Sequence, residues 1–288
     1  MKNIIFSTES ACDIPQEFIE KYDLRIAPMT FYINGVEFSS DDNKFSPEQI
    51  GKLMEEGATT STTQINQYEA KEFLERLLTE GKDVIHFSFS SGMSNTYNNF
   101  KLASDELNKT HTNKVYVIDT LCQSGGVGVL IKITADEMEK DNLSFEDTIQ
   151  FAEDNKKNIA HIFTVEDLKY LSRGGRISAT TAIIGNILKI KPVLNVNNDG
   201  VIVTAQKVIS RKRAITTIAE KMAVHYSGKF DTVIISEASC HSEAEFLANC
   251  IKEKLGITPY IVPLNFVVEA HGGPGSLALF FHAFDRKY

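Results

Sequence analysis

The strongest constraint on this chain is the alternation of short apolar strand segments with helix-length amphipathic segments over its first 155 residues. Asn3–Phe6 and Arg25–Ile33 read as strands, the second closed by the turn dipeptide Asn34-Gly35. Ser46-Pro47-Glu48 opens a short helix, with Ser as cap and Pro at the first helical position. Tyr68–Leu78 places Tyr68, Phe73, Leu74, Leu77 and Leu78 at helical spacing. Asp83–Phe89 is strand-like and Thr96–Leu107 helical, and Lys114–Ile118 is a buried strand ending at Asp119. Helices follow over Val127–Glu139 and Phe145–Asn155. Strands parted by helices of this length predict an α/β fold with a mostly parallel sheet.

The polar run Glu153–Asn158 marks a boundary. It gives an N-terminal α/β domain over 1–157 and a C-terminal domain over 158–288, in keeping with roughly 150 residues per domain. Beyond it, Ile159–Thr164 reads as a strand, Val165–Leu171 as a short helix and Thr180–Leu188 as an apolar helix. Val193–Val196 and Val201–Thr204 flank Asn198-Asp199-Gly200, a strong hairpin signal. Ala214–Val224 and Glu243–Leu255 are helical, and Thr232–Ser236 and Tyr260–Val268 strand-like. Ser276–Phe284 reads as a final apolar helix after a glycine-rich turn, so this half has an α+β pattern.

Composition removes several classes. With 42% hydrophobic and 24% charged residues, the chain is neither disordered, collagen-like nor a disulfide scaffold. The apolar run Leu277–Phe281 is stopped by His282, far short of the ~18 residues of a membrane helix. Ser7, Glu9 and Asp13 interrupt any signal-peptide core. Cys12, Cys122, Cys240 and Cys250 have no CxxC spacing and are expected to be buried free thiols in a reducing cytosol. The expected location is therefore cytoplasmic.

A net charge of −8 argues against a nucleic-acid binder. The charge is uneven: −12 over residues 1–157 and +4 over 158–288. Between Lys169 and Arg213 nine basic side chains face one acid, Asp199, which marks a face for an anionic ligand or an acidic partner. Solvated helix surface is the plainer account of any one of those lysines.

Cofactor motifs fail. Ser124-Gly-Gly-Val-Gly128 has Ile131 where a dinucleotide fingerprint needs Gly, and a tight strand–helix turn explains its glycines. No Walker A loop, HExxH or GxSxG elbow occurs, and the seven histidines lack metal-ligand spacing. His86, inside a strand, reads as a core histidine. No metal and no cofactor are expected.

Three turns say more: Ala58–Gln64, Ser90–Thr96 and His271–Ser276, rich in hydroxyls or glycine and each read as preceding a helix. Free backbone N–H groups and side-chain donors meet there, and the helix dipole favours an anion. Plain N-capping by Ser94 or Thr63 fits the same residues. The segment Asp167–Ser178, followed by Ile187–Val193, fits a helix ending at Gly174-Gly175 with solvated arginines.

These segments together resemble the DegV family of bacterial fatty-acid-binding proteins. The similarity runs from Phe6-Ser-Thr-Glu-Ser-Ala-Cys-Asp13 through Ser91–Tyr97 and Val117–Thr120 to Leu168–Ile177, Ile190–Val193 and His271-Gly-Gly-Pro-Gly275. The resemblance implies two α/β domains with a fatty acid in the cleft between them. It implies that the carboxylate is held at Thr62 and Ser94, with Thr63 and His271 as further candidates. It also implies a partner, a fatty acid kinase that phosphorylates the carboxylate, with Arg173 and Arg176 of the Arg-Gly-Gly-Arg-Ile segment and Arg211 as docking residues. Three departures stand out. The family's Thr-Ser-Gln-Pro-Ser turn reads Thr62-Thr-Gln-Ile-Asn66, Ser-Gly-Thr reads Ser94-Asn-Thr96, and Lys-Val-Arg-Gly reads Lys207-Val-Ile-Ser210. Arg211 is the nearest replacement for that lost arginine.

The resulting expectation is a non-enzymatic carrier of a long-chain fatty acid, with no membrane insertion and at most transient membrane contact. Two rivals stay open. One is a serine hydrolase using Ser94, His271 and Asp119; the other is a lipid-sensing regulator whose basic face meets a different partner.

Overall fold

A computed structural model describes residues 3–42, 44–177 and 190–286. The expected helix Thr180–Leu188 lies outside the described residues.

The first half builds a parallel sheet from β1 (Ile4–Glu9), β2 (Arg25–Ala27), β6 (Asp83–Ser88) and β7 (Val115–Asp119), in the order β2-β1-β6-β7. Its middle strands are buried on both faces, as a sheet covered by helices on each side requires; the polar side chains among them pair with one another, Ser7 and Glu9 with His86 and Ser88 with Glu9. Phe6 pairs with Ile85, and Phe87 with Ile118. Helix α1 (Gln16–Tyr22), α3 (Gln67–Leu78) and α4 (Thr96–Leu107) connect these strands. A capping box between Asn66 and Glu69 starts α3.

The single strand expected over Arg25–Ile33 is two strands in different sheets. Pro28 has no N–H to offer a ladder, and the N–H of Met29 donates to the hydroxyls of Ser10 and Ser40 instead. After that break β3 (Thr30–Ile33) joins β4 (Val36–Ser39) and β5 (Thr60–Thr62) in a small antiparallel sheet, order β4-β3-β5. Helix α2 (Pro47–Glu55) packs beside it, opened by Ser46 in a capping box with Gln49.

Helices α5 (Gly125–Asp141) and α6 (Phe145–Asn155) lead to a mixed sheet of β8 (Ile159–Thr164), β9 (Ile190–Val196), β10 (Ile202–Ile209), β11 (Val233–Glu237), β12 (Tyr260–Pro263) and β13 (Leu277–His282). Its order is β10-β9-β8-β13-β11-β12, with only β11 and β12 parallel. Every strand of the parallel sheet thus comes from the first 119 residues, and every strand of the mixed sheet from 159 onward. Helix α5 is shared: it packs on β8, β11 and β13, and also on β6. A Cβ on Gly125 would lie 2.6 Å from Phe280, and one on Gly126 would collide with His161, so these glycines serve close helix–sheet approach. The other face of the mixed sheet is covered by α8 (Arg211–His225) and α9 (His241–Leu255).

Two expectations in this half are overturned. Ser276–Phe284 is not a helix: its core is β13, between β8 and β11, buried throughout. Leu277, Leu279 and Phe281 enter the core under α8 and α9, while Ala278 and Phe280 enter the core under α5. A strand buried on both faces carries no alternation, so its short apolar run cannot be told from a buried helix by period. Tyr260–Val268 is a strand only to Pro263. Asn265 then accepts from the N–H of Val267 and opens α10 (Phe266–Gly272). The expected short helix near Val165–Leu171 is α7 (Lys169–Arg173), ended by Gly174 and by Gly175 at φ +70°.

Candidate functional site

Both halves of the chain line one cavity of about 440 Å³, within the ~300–1,000 Å³ common for small-molecule sites. Much of its interior is apolar: Met29, Phe163, Val165, Leu171, Leu277 and Phe280 line it and are buried. Its rim is polar and open, with Thr63, Gln64 and Asn95 exposed and Thr62 and Ser94 half-buried.

Thr62 ends β5, where its backbone pairs with Phe31. Its hydroxyl lies 2.7 Å from Nε2 of His271 at the end of α10. A second bond ties the same two elements, from the hydroxyl of Thr60 to the carbonyl of Ala270 (2.9 Å). Burial, and then the nearby charge of Arg176, push the His271 pKa down to about 4, so the imidazole is neutral at pH 7. Its Nδ1 is buried with no hydrogen-bond partner among the described residues. Gly174 makes room for this ring, because a Cβ there would collide with Nδ1.

Ser94 sits in the turn between β6 and α4. Its hydroxyl lies 2.9 Å from that of Thr96 and accepts from the N–H of Thr96 at 3.3 Å. The turn is pinned from below by the hydroxyl of Ser90, which donates to the carbonyl of Gly200 in the β9–β10 hairpin. Thr63 caps nothing, since α3 takes its cap from Asn66. His271–Ser276 begins in the last turn of α10 and leads into β13, so no helix N-terminus offers its dipole to an anion at that turn, contrary to expectation.

The structure therefore brings Thr62, Thr63, Ser94 and His271 to one cavity. The three arginines divide. Arg173 is exposed on α7. Arg176 lines the cavity, half-buried, with its guanidinium donating to the carbonyl of Gly174. Arg211 is drawn inward: it pairs with Glu243 at 2.7 Å and donates to the carbonyl of Gly275 at 2.5 Å. Sequence reading did not place Arg176 or Gln123 in the cavity wall; the bend at Gly174-Gly175 turns Arg176 inward, and no residue pattern announces Gln123.

The hydrolase constellation is not assembled. Asp119 accepts from the N–H groups of Ser91 and Leu121, His271 is engaged with Thr62, and Ser94 with Thr96. No group of three or more potential metal ligands occurs among the described residues. None of the helices among the described residues is long and apolar enough to cross a membrane.

A sequence model of one family, described as "Uncharacterised protein, DegV family", matches residues 3–283. A DegV domain-containing protein of Clostridium perfringens is 31% identical over 285 residues, covering 98% of each chain. Among solved structures, a DegV lipid-binding protein from Thermotoga maritima is 27% identical with a TM-score of 0.82, covering 99% of this chain and 100% of its own. A fatty-acid-binding DegV family protein from Streptococcus agalactiae is 25% identical with a TM-score of 0.85, covering 98% of this chain and 99% of its own.

Proposed function

This chain belongs to the DegV family, and from that premise we propose that its cavity binds a long-chain fatty acid with the carboxylate at Thr62, Ser94 and His271. A largely apolar interior ending at a rim of neutral donors supports this reading most strongly. A chain of ~15 methylenes gains about 0.8 kcal/mol for each one removed from water, an upper limit near 12 kcal/mol. Ordering the chain and the site takes back part of that. The carboxylate needs donors to offset its desolvation. When His271 donates Nε2–H to the Thr62 oxygen, the Thr62 hydroxyl proton is free to point at the ligand, and Ser94 supplies a second donor. Arg176 adds a positive potential without forming a tight ion pair in the described site.

The protein then acts as a carrier rather than a catalyst. Its carboxylate site lies beside the exposed rim, within reach of a second protein, and neutral donors leave the carboxylate oxygens nucleophilic. We read that second protein as a fatty acid kinase of the cytoplasm, with Arg173 as the exposed docking residue nearest the site. Arg176 and Arg211 would support docking through the wall and the fold that hold Arg173's surroundings in place.

Mass spectrometry of an organic extract of the purified, unfolded protein tests the ligand class. The expected result is one fatty acid per chain. An empty extract, with no acid taken up on later addition, would overturn the reading.

A further inference from the structure

The polar residues of the cavity fall into two groups. Those at the rim are open or half-open to solvent. Gln123, Ser124 and Ser276 are buried within it, with Gln123 only 7% exposed. Two of these three are already committed: the Ser124 hydroxyl donates to Asp13, and the Ser276 hydroxyl donates to the carbonyl of Gly273 at 2.7 Å. Gln123 differs. Its backbone is satisfied, the N–H by Nε2 of His161 at 3.2 Å and the carbonyl by the N–H of Gly126 at 2.9 Å. Its side-chain amide has no hydrogen-bond partner among the described residues.

Gln123 belongs to the buried lining of the cavity, not to its open rim. The bond to His161 fixes Gln123 against the centre of the mixed sheet, and the His161 ring lies edge-on to Phe280 at 5.3 Å. Phe280 and Phe163 both line the cavity. A bare alkyl chain passing here would strip water from a primary amide and return no hydrogen bond, which weakens its binding. A hydroxyl on the chain would both donate to the amide oxygen and accept from its NH₂.

We propose that Gln123 selects acyl chains bearing a hydroxyl group part-way along their length, which its amide hydrogen-bonds inside the cavity. This deepens the fatty-acid reading above and rests on it.

The test compares affinities of the full-length protein for stearic acid and for a panel of monohydroxystearic acids with the hydroxyl at successive chain positions. In wild type, the best-placed hydroxy acid should bind roughly fivefold more tightly than stearate, the value of about one net hydrogen bond. Gln123→Leu should reverse that order by tightening stearate and weakening the hydroxy acid, and Gln123→Met provides the same readout with a more adaptable side chain. Stearate binding wild type more tightly than every hydroxy isomer overturns the proposal, as does a preference unchanged in both variants. Failure of wild type to bind any of these acids overturns the fatty-acid reading itself, and this one with it.

Discussion

His271 Nε2 and the Thr62 hydroxyl meet at 2.7 Å across 209 residues of chain, joining the end of α10 to the end of β5. That bond fixes the rim of the cavity from two elements that share no sheet. It also orients the Thr62 hydroxyl at the mouth of the cavity. Replacing Thr62 and Ser94 together by Ala should leave the fold intact and release the bound acid. Co-purified fatty acid, measured by mass spectrometry against a circular-dichroism control, should fall at least tenfold, a loss of about 1.4 kcal/mol or more.

Gly174→Ala should act on the same bond from the other side. The new methyl would occupy the space of His271 Nδ1, so either the ring swings away from Thr62 or α7 shifts. Overpacking of this kind costs about 1–3 kcal/mol. A urea titration should show that loss, and acid affinity should drop with it. Full affinity in a destabilised variant would show that His271 does not position the donor.

Stability should fall as pH rises from neutral to about 8. Glu269, fully buried on α10, has neither carboxylate oxygen hydrogen-bonded among the described residues. Burial first, and then the charges of Glu237, Glu48 and Asp13, push its pKa up to about 8. The folded protein therefore holds a proton, between the ordinary carboxylate range and pH 8, that the unfolded chain has lost. The stability this gives is fully present below the unfolded pKa and is lost as pH rises through the folded one. His271 and His282, both lowered to about 4, have the opposite sense, and their contribution is lost only as pH falls below about 6.5. Asp13, raised to about 6, acts below that value. Between pH 6.5 and 8 Glu269 alone of these groups titrates, so Glu269→Gln should flatten the urea midpoint across that window. Above pH 8 the variant should be more stable than wild type by more than about 1 kcal/mol.

Arg173 and Arg211 should separate surface recognition from folding. Arg173→Ala removes an exposed side chain and should change stability by no more than about 0.5 kcal/mol while weakening capture by a fatty acid kinase. Arg211→Ala strands Glu243 and the Gly275 carbonyl and should cost about 2 kcal/mol in urea unfolding. Equal kinase capture by wild type and Arg173→Ala would remove Arg173 from the docking surface.

The sequence carried most of the secondary structure wherever a local physical signal existed. Ser46 with Pro47 announced α2, and the Asn198-Asp199-Gly200 turn announced the β9–β10 hairpin. Thr62, Ser94 and His271 were legible as one site only through the resemblance, since their meeting depends on elements that fold together from distant segments. What failed were the elements set by tertiary burial. Leu277–His282 lacks alternation because both of its faces are covered, and Pro28 divides a run that is apolar on either side. The inward turn of Arg176 and the burial of Gln123 depend on packing partners far away in sequence, so no local pattern could show them.

The placement of β13 has a consequence for how the protein is made. It is the last strand of its sheet along the chain, yet it lies between β8 and β11. On a ribosome, both of those strands emerge before the strand that joins them, each with an edge unpaired and its apolar side chains uncovered. The parallel sheet has all its strands by residue 119 and can close while synthesis continues. The mixed sheet, and with it the inner wall of the cavity, can be completed only after β13 has cleared the exit tunnel.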